Sequence, residues 1–425
     1  MISSRPPPLF PLPSSLSPLP CRFRGYNPAV TLRRKLTWIA VLYFAEGLPF
    51  GIAYDVWPVF FRVHGVSLTE IGLMSLLSLP WTLKLAWAPL VDRWGSRQQW
   101  ITPCLLVLSG ATLLLAPQDA ARPSWLLWAT LLLFTTASAT QDVAIDAYSV
   151  DIAAPGEIGA INGVKVSAAR AALLAGGGGV VTLAGLTGWL PLWLVLAFVF
   201  AALALAAWAS PRVALDAGAR RQTLRPVLGW LLRWEMVPVL LFVPLFKLGD
   251  STLGRMVKPF WVDRGYTLAE IGLISVTLGV VLTILGALAG GWFATRYGIF
   301  AALVWLGLGQ ALSNLGYVAV ASLPLPRESI YVASLVESFT QGLGTAAFLS
   351  YLMSLCRREH AATQYALLSA LFALTRDVAG AFTGLGVERL GYPAYFAVTA
   401  ALAVPGLALL PLVRRTVGSG SAGDA

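Results

Sequence analysis

Residues Gly65–Ser75 read G-V-S-L-T-E-I-G-L-M-S, and Gly265–Ser275 read G-Y-T-L-A-E-I-G-L-I-S. Seven of these eleven positions are identical, at an offset of 200 in a chain of 425 residues. Phe60 and Phe260 extend the match upstream. Each copy is followed by an apolar, glycine-containing run ending in a short basic turn, Asp92-Arg93-Trp94-Gly95 in one and Arg296-Tyr297-Gly298 in the other. Thr140-Gln141 and Thr340-Gln341 repeat at the same offset. The chain therefore reads as two copies of one half. Ser67 and Thr267, each with a glutamate three residues on, have the pattern of a helix capping box, so the repeated stretch predicts a structural turn entering a helix.

The composition is 57% hydrophobic and 12% charged. A soluble chain of this length has too little polar surface to cover so much apolar side chain. The apolar runs are long enough to cross a hydrocarbon layer of roughly 30 Å as helices, which satisfy their own backbone polar groups. The expected class is an all-α polytopic membrane protein, and duplicated halves in such a protein point to a transporter with its substrate path between them. The net charge of +10 is distributed by membrane side, so no nucleic-acid partner is expected. Cys21, Cys104, Cys356, His64 and His360 lie far apart in sequence, which implies no metal site, cofactor or disulfide framework.

Twelve spans are expected, near 36–61, 68–90, 100–117, 124–148, 158–183, 189–209, 234–262, 268–293, 299–321, 329–355, 362–387 and 392–413. Residues 1–35 read as a Pro/Ser-rich disordered tail without the apolar core of a signal peptide. The halves are 36–210 and 234–415, joined by a basic linker at 211–233, with a flexible tail at 416–425. Placing both termini in the cytoplasm puts 18 Lys and Arg on that side and 5 on the other, the bias of the positive-inside rule. Six spans plus six around a basic linker is the layout of the major facilitator superfamily.

Seven basic residues, Lys84, Lys165, Arg170, Lys247, Arg255, Lys258 and Arg376, fall within the spans. So do Glu46, Asp55, Asp142, Asp146, Asp250, Glu337 and Asp377. A charge at the centre of an isolated helix costs roughly 2.5–3.5 kcal/mol on insertion scales, so these groups must pair, titrate or line water. Spans 4 and 5 form a hairpin, which brings Asp146 level with Lys165 and Asp142 level with Arg170. Asp142 and Asp146 share one helix face. Spans 10 and 11 likewise bring Glu337 level with Arg376 and Asp377, and Lys247 and Asp250 are i,i+3 on span 7. Each cluster is either a structural ion pair or a site for an anionic solute or a proton. Asp142, Asp146 and Glu337 are the candidates for proton coupling. Glu46, Gln141, Lys165, Arg170, Lys247, Asp250, Arg255, Lys258, Gln341, Arg376 and Asp377 are the candidates for substrate binding, with Arg170 and Arg376 suited to grip a carboxylate or phosphate. Lys84 reads as a side chain snorkelling towards the cytoplasmic surface. Gly176–Gly179 reads as close helix packing or a bendable segment. Gly47-Leu48-Pro49-Phe50-Gly51 is expected to interrupt span 1 beside Glu46.

A-T-Q-D-V-A-I-D-A-Y-S-V-D at Ala139–Asp151 resembles the fourth-helix signature of the AmpG-type muropeptide permeases. L-P-W-T-L-K-L-A-W-A-P-L-V-D-R at Leu79–Arg93 resembles their second-helix motif, and F-K-L-G-D at Phe246–Asp250 the start of the seventh. Glu337 with G-L-G-T-A-A-F at Gly342–Phe348 resembles the tenth, and A-T-Q-Y-A-L-L-S-A-L at Ala362–Leu371 followed by Arg376 the eleventh. The resemblance covers about residues 36–415. These permeases are major facilitator proteins of Gram-negative inner membranes, related to eukaryotic acetyl-CoA transporters. The resemblance implies a proton-driven importer of anhydro-muropeptides released by cell-wall turnover. Arg255 and Lys258 depart from the family's seventh helix.

The expectation is thus a monomeric, proton-coupled symporter of a small anionic solute in the bacterial inner membrane, with the bilayer as its other partner. A carrier of another anionic metabolite (acyl-CoA-like, nucleotide-like or siderophore-like) is the alternative. A membrane-embedded enzyme lacks support from any nucleophile–base pairing in the chain. A non-transporting sensor would show tight binding without flux.

Overall fold

The computed structural model describes residues 31–93, 95–153, 157–212, 233–355 and 361–419. Eight helical segments are long and apolar enough to cross a membrane: span 1 at Leu32–Val63, span 3 at Arg97–Leu115, span 5 at Ala160–Thr187, span 6 at Trp189–Ala209, span 7 at Val237–Asp263, span 8 at Leu268–Tyr297, span 9 at Ile299–Ser322, and Thr383–Arg414, which contains span 12. Span 2 is Leu68–Leu83 continued by Ala88–Arg93. Span 4 is Trp125–Ile152, span 10 is Ser329–Leu355, and span 11 begins with Ala361–Ala381. The spans number twelve among the described residues. Spans 2, 4, 10 and 11 are shorter or more polar because they hold Lys84, Asp142, Asp146, Glu337, Arg376 and Asp377.

Span 1 begins at Leu32, four residues before the expected edge. Lys35, placed in the tail by sequence, is buried and 2.7 Å from Glu157. The last helix extends to Ser419, past the expected span end at 413 and into the stretch read as a flexible tail from 416. The tail before residue 31 and linker residues 213–232 lie outside the described residues.

The duplication is written in the turns. Six glycines have positive φ: Gly65 and Gly265 (82° and 74°), Gly95 and Gly298 (70° and 90°), Gly188 and Gly391 (77° and 73°). Each pair closes the same connection in the two halves, where a side chain would strain the backbone. Gly391 is the whole turn between spans 11 and 12, which run into each other across it. The capping boxes form in both copies. Ser67 and Thr267 each accept from the glutamate backbone N–H at 3.2 Å, and the glutamate carboxylates accept from the cap N–H groups at 3.3 and 2.7 Å.

Span 1 is not interrupted at Gly47–Gly51. It stays helical there and widens into a π-helical stretch at Ile52–Val56. Pro49 has no N–H to donate, and the glycines serve close packing. A Cβ on Gly47 would lie 2.8 Å from Ala172 Cβ, and one on Gly51 would lie 2.9 Å from the Gly177 nitrogen. Gly176–Gly179 shows the close helix packing expected of it. It packs against span 1 at Leu48 and span 8 at Gly272, and it lies in a π-helical stretch, Leu174–Gly179. A third such stretch, Ile271–Leu278, opens span 8.

The two halves meet at the end bearing Gly65 and Gly265, called distal here. Arg62 binds Asp263 with Nε and Nη2 at 2.5 and 2.7 Å. Thr69 donates through N–H and Oγ1 to Glu388 at 3.0 and 2.6 Å. Tyr392 donates to Asp263 at 2.6 Å. Gly72 faces Gly384, and Gly178 faces Gly272, at backbone contact. This seal leaves a cavity beneath it, between the halves.

Candidate functional site

The first cluster lies within the first half. Tyr43, Glu46, Phe50 and Tyr54 recur at three- or four-residue spacing and share one face of span 1. Glu46 meets Asp142 and Asp146 of span 4, and one carboxylate oxygen of each lies within 4.8 Å of the others. Lys165 reaches Asp146 at 3.2 Å, as the hairpin depth predicts. Tyr43 donates to the same oxygen at 2.6 Å, and the Lys165 ammonium lies 4.6 Å from the Tyr43 ring centroid. One Glu46 oxygen is buried with no hydrogen-bond partner.

Asp142 does not pair with Arg170. Its partner is Lys84, carried inward on a 3-10 turn at Lys84–Ala86, so Lys84 is no snorkelling surface residue. Depth in a hairpin does not determine azimuth. Span 5 lays Ala169 and Ala172 against Gly47 of span 1, which turns Arg170 away from Asp142. Arg170 is exposed and stands one helical turn from Leu173, a cavity residue.

The cavity has a volume of about 370 Å³ and is lined by spans 1, 5, 7, 8, 10 and 11. Its wall carries Lys247, Arg255, Lys258 and Arg376, with Asp55, Asp250 and Glu337. Lys247 pairs with Asp250 at 3.1 Å and donates to Gln310 at 3.0 Å. Lys258 pairs across the halves with Asp55 at 2.8 Å. Arg255 and Arg376 share Asp377 Oδ1 at 3.4 and 3.1 Å. Both guanidiniums face Tyr54 of the first half, 4.6 and 5.1 Å from its ring centroid. Arg376 also donates to the Tyr54 hydroxyl at 2.7 Å, and Thr82 of span 2 donates to Asp377 Oδ2 at 2.8 Å.

Of the residues expected to bind substrate, Lys247, Asp250, Arg255, Lys258, Gln341 and Arg376 line this cavity, and Asp377 stands fully buried behind it. Glu46 and Lys165 belong instead to the carboxylate cluster. Gln141 is enclosed in span 4, its amide atoms without partners. Glu337 lines the cavity but makes no ion pair with Arg376 among the described residues; Gln341 Nε2 is 3.5 Å from it. Asp377 takes the guanidinium instead. Tyr43, Tyr54 and Thr82 were missed, although the stripe on span 1 was available as a signal for the two tyrosines.

Residues 39–376 match the sequence profile of the Major Facilitator Superfamily. The Anhydromuropeptide permease of Escherichia coli (strain K12) is 31% identical over 89% of this chain and 79% of its own length. The chain belongs to the AmpG-type permease family of the major facilitator superfamily. Another relative, Putative transporter AmpG 4 of Rickettsia felis, is 27% identical over 90% of this chain and 97% of its own. Among solved structures, a bacterial homologue of the human lysosomal transporter Spinster, inward-facing and unoccupied, superposes with a TM-score of 0.78. It covers 93% of this chain and 99% of its own at 14% identity, a likeness of fold alone. As a member of this permease family, the protein is a multi-pass membrane transporter.

Proposed function

We propose that the protein is a proton-coupled symporter that imports anhydro-muropeptide-like products of cell-wall recycling across the bacterial inner membrane. Both termini then lie in the cytoplasm, and the sealed distal end faces outward. The observation that carries the reading is the cavity wall with its four cations, in a chain 31% identical to the E. coli Anhydromuropeptide permease. Arg255 and Arg376, held over the ring of Tyr54, can bind a carboxylate in bidentate fashion. Arg170, one turn nearer the cytoplasm than the cavity, is placed to meet the solute as it leaves.

Glu46, Asp142 and Asp146 set three carboxylates against two ammonium groups, Lys84 and Lys165. Two carboxylates about 5 Å apart repel by roughly 3 kcal/mol at an effective dielectric of about 20. That repulsion favours a bound proton shared by the trio. Asp146 is half exposed, which provides a route for the proton.

The test is uptake of labelled anhydro-muropeptide into proteoliposomes, with and without an imposed inward proton gradient. Accumulation only with the gradient is expected; equal uptake in both conditions sinks the coupling. Arg255 and Lys258 on the wall favour a second reading, a carrier for another anionic metabolite, and competition between anhydro-muropeptide and acyl-CoA, nucleotide or siderophore decides between them.

Arg376→Ala is expected to weaken anionic ligand binding at least tenfold, while Asp377 keeps Arg255 as its ion-pair partner. Arg170→Ala, at an exposed position, should weaken binding without loss of thermal stability. Calorimetry on purified protein reads both; unchanged affinity in both variants rules out the anion assignment.

A further inference from the structure

We propose that Glu337 takes up the proton that balances an anionic group bound by Arg255 and Arg376. The inference rests on the anion-carrier reading above. The cavity wall and Asp377 behind it contain four cations and four carboxylates. Lys247 is matched by Asp250 and Lys258 by Asp55. The remaining charges are unevenly placed. Two guanidiniums share the one carboxylate of Asp377, while Glu337 has no ion pair among the described residues.

Asp377 has little left to offer the two arginines. Its Oδ1 faces both guanidiniums and its Oδ2 accepts from Thr82. Tyr54 gives them a ring face and a hydroxyl but no charge. One positive charge is therefore in excess at the arginine pair and one negative charge at Glu337, in the same cavity. Lys247, Asp250 and Lys258 of span 7 and Tyr317 of span 9 also act on Glu337. Gln341 and Ser338 flank it on its own span, and span 11 adds Arg376 and Asp377 across the cavity. Glu337 is buried, so its charge is poorly screened by solvent.

Empty, the cavity is neutral with Glu337 ionised. A carboxylate or phosphate entering at the arginine pair makes it negative unless a proton enters with it. A proton on Glu337 alone leaves it positive and ready for an anion. Each ligand thus favours the other, and the coupling is reciprocal. This site is separate from the Glu46–Asp142–Asp146 trio and adds a second point of proton exchange in the other half.

The experiment is calorimetry of anhydro-muropeptide binding to the full chain in nanodiscs, repeated in buffers of different ionisation enthalpy. Wild type should take up close to one proton per ligand at a pH where Glu337 is ionised. Glu337→Gln should bind with no such uptake and with an affinity insensitive to pH. The same uptake in Glu337→Gln overturns the proposal. A ligand-free arm decides the matter even if anhydro-muropeptide does not bind, a result that would count against the substrate reading alone. Infrared spectra across pH should contain a carboxylic-acid band that Glu337→Gln lacks, and in Arg255→Gln that band should persist to higher pH than in wild type. Superimposable titrations of wild type and Arg255→Gln, or no such band at any pH, overturn it as well.

Discussion

Asp146→Asn is expected to leave a carrier that has lost the trio's proton and concentrates its solute less steeply. The asparagine amide oxygen can still accept from Tyr43 and Lys165, which hold Asp146 at 2.6 and 3.2 Å, so the local shape is kept. What changes is the charge count. Glu46 and Asp142 are then matched by Lys84 and Lys165, and the trio no longer requires a proton. A gradient of one pH unit is worth about 1.4 kcal/mol per proton, or about a tenfold concentration ratio. Accumulation should therefore fall about tenfold per pH unit in Asp146→Asn proteoliposomes, while exchange of labelled for unlabelled solute persists. Asp142→Asn should uncouple as well and also lower stability, because Asp142 is buried and its loss leaves Lys84 half-buried without its partner. An Asp146→Asn carrier that concentrates solute as steeply as wild type under a proton gradient excludes that residue as a coupling site.

How much of this arrangement could be read from sequence depended on how far each feature relied on tertiary contact. The repeated G-x-[ST]-L-x-E-I-G-L stretch, the apolar runs and the capping boxes are local, and they were legible. Asp146–Lys165 was legible because a tight hairpin makes residue number a measure of depth. Asp142–Arg170 failed because the same arithmetic says nothing about which face of span 5 turns inward, and packing of Ala169 and Ala172 on Gly47 decides that. Lys84 was misread because its sequence position resembles a membrane boundary, whereas the 3-10 turn beneath it carries the ammonium inward.

The contacts that build the cavity are the least legible of all. Tyr54 and Arg376 are 322 residues apart, and Thr82 and Asp377 are 295 apart. They meet only when the halves meet, so they belong to one arrangement of the halves. This has a functional corollary. Arg376 and Lys258 each hold a partner on the first half, Tyr54 and Asp55. In the proposed carrier, a solute that competes for either cation would also loosen the junction between the halves, coupling binding at this wall to their relative movement.

Gly384→Val is expected to hold the distal end open and reduce transport more than tenfold. Two kinds of contact seal that end, and their magnitudes differ. Arg62–Asp263 is bidentate but about one-fifth exposed on each side, and exposed ion pairs contribute roughly 0.2–1 kcal/mol. The glycine contacts are backbone on backbone. A Cβ on Gly384 would collide with the Leu68 carbonyl, and one on Gly72 would lie 2.8 Å from the Gly384 nitrogen. Neither neighbour is the flexible end of a side chain, so spans 2 and 11 must separate. Overpacking typically costs about 1–3 kcal/mol, which shifts a two-state ratio by roughly 5–150-fold. The readout is an introduced Ser275→Cys on the cavity wall, in a background lacking Cys21, Cys104 and Cys356. In intact cells it should be protected from a membrane-impermeant maleimide added outside, and it should become reactive when Gly384→Val is added. Arg62→Ala should raise that reactivity far less. Equal reactivity in the two variants would mean that the ion pair, and not helix approach at the glycines, closes the outer side.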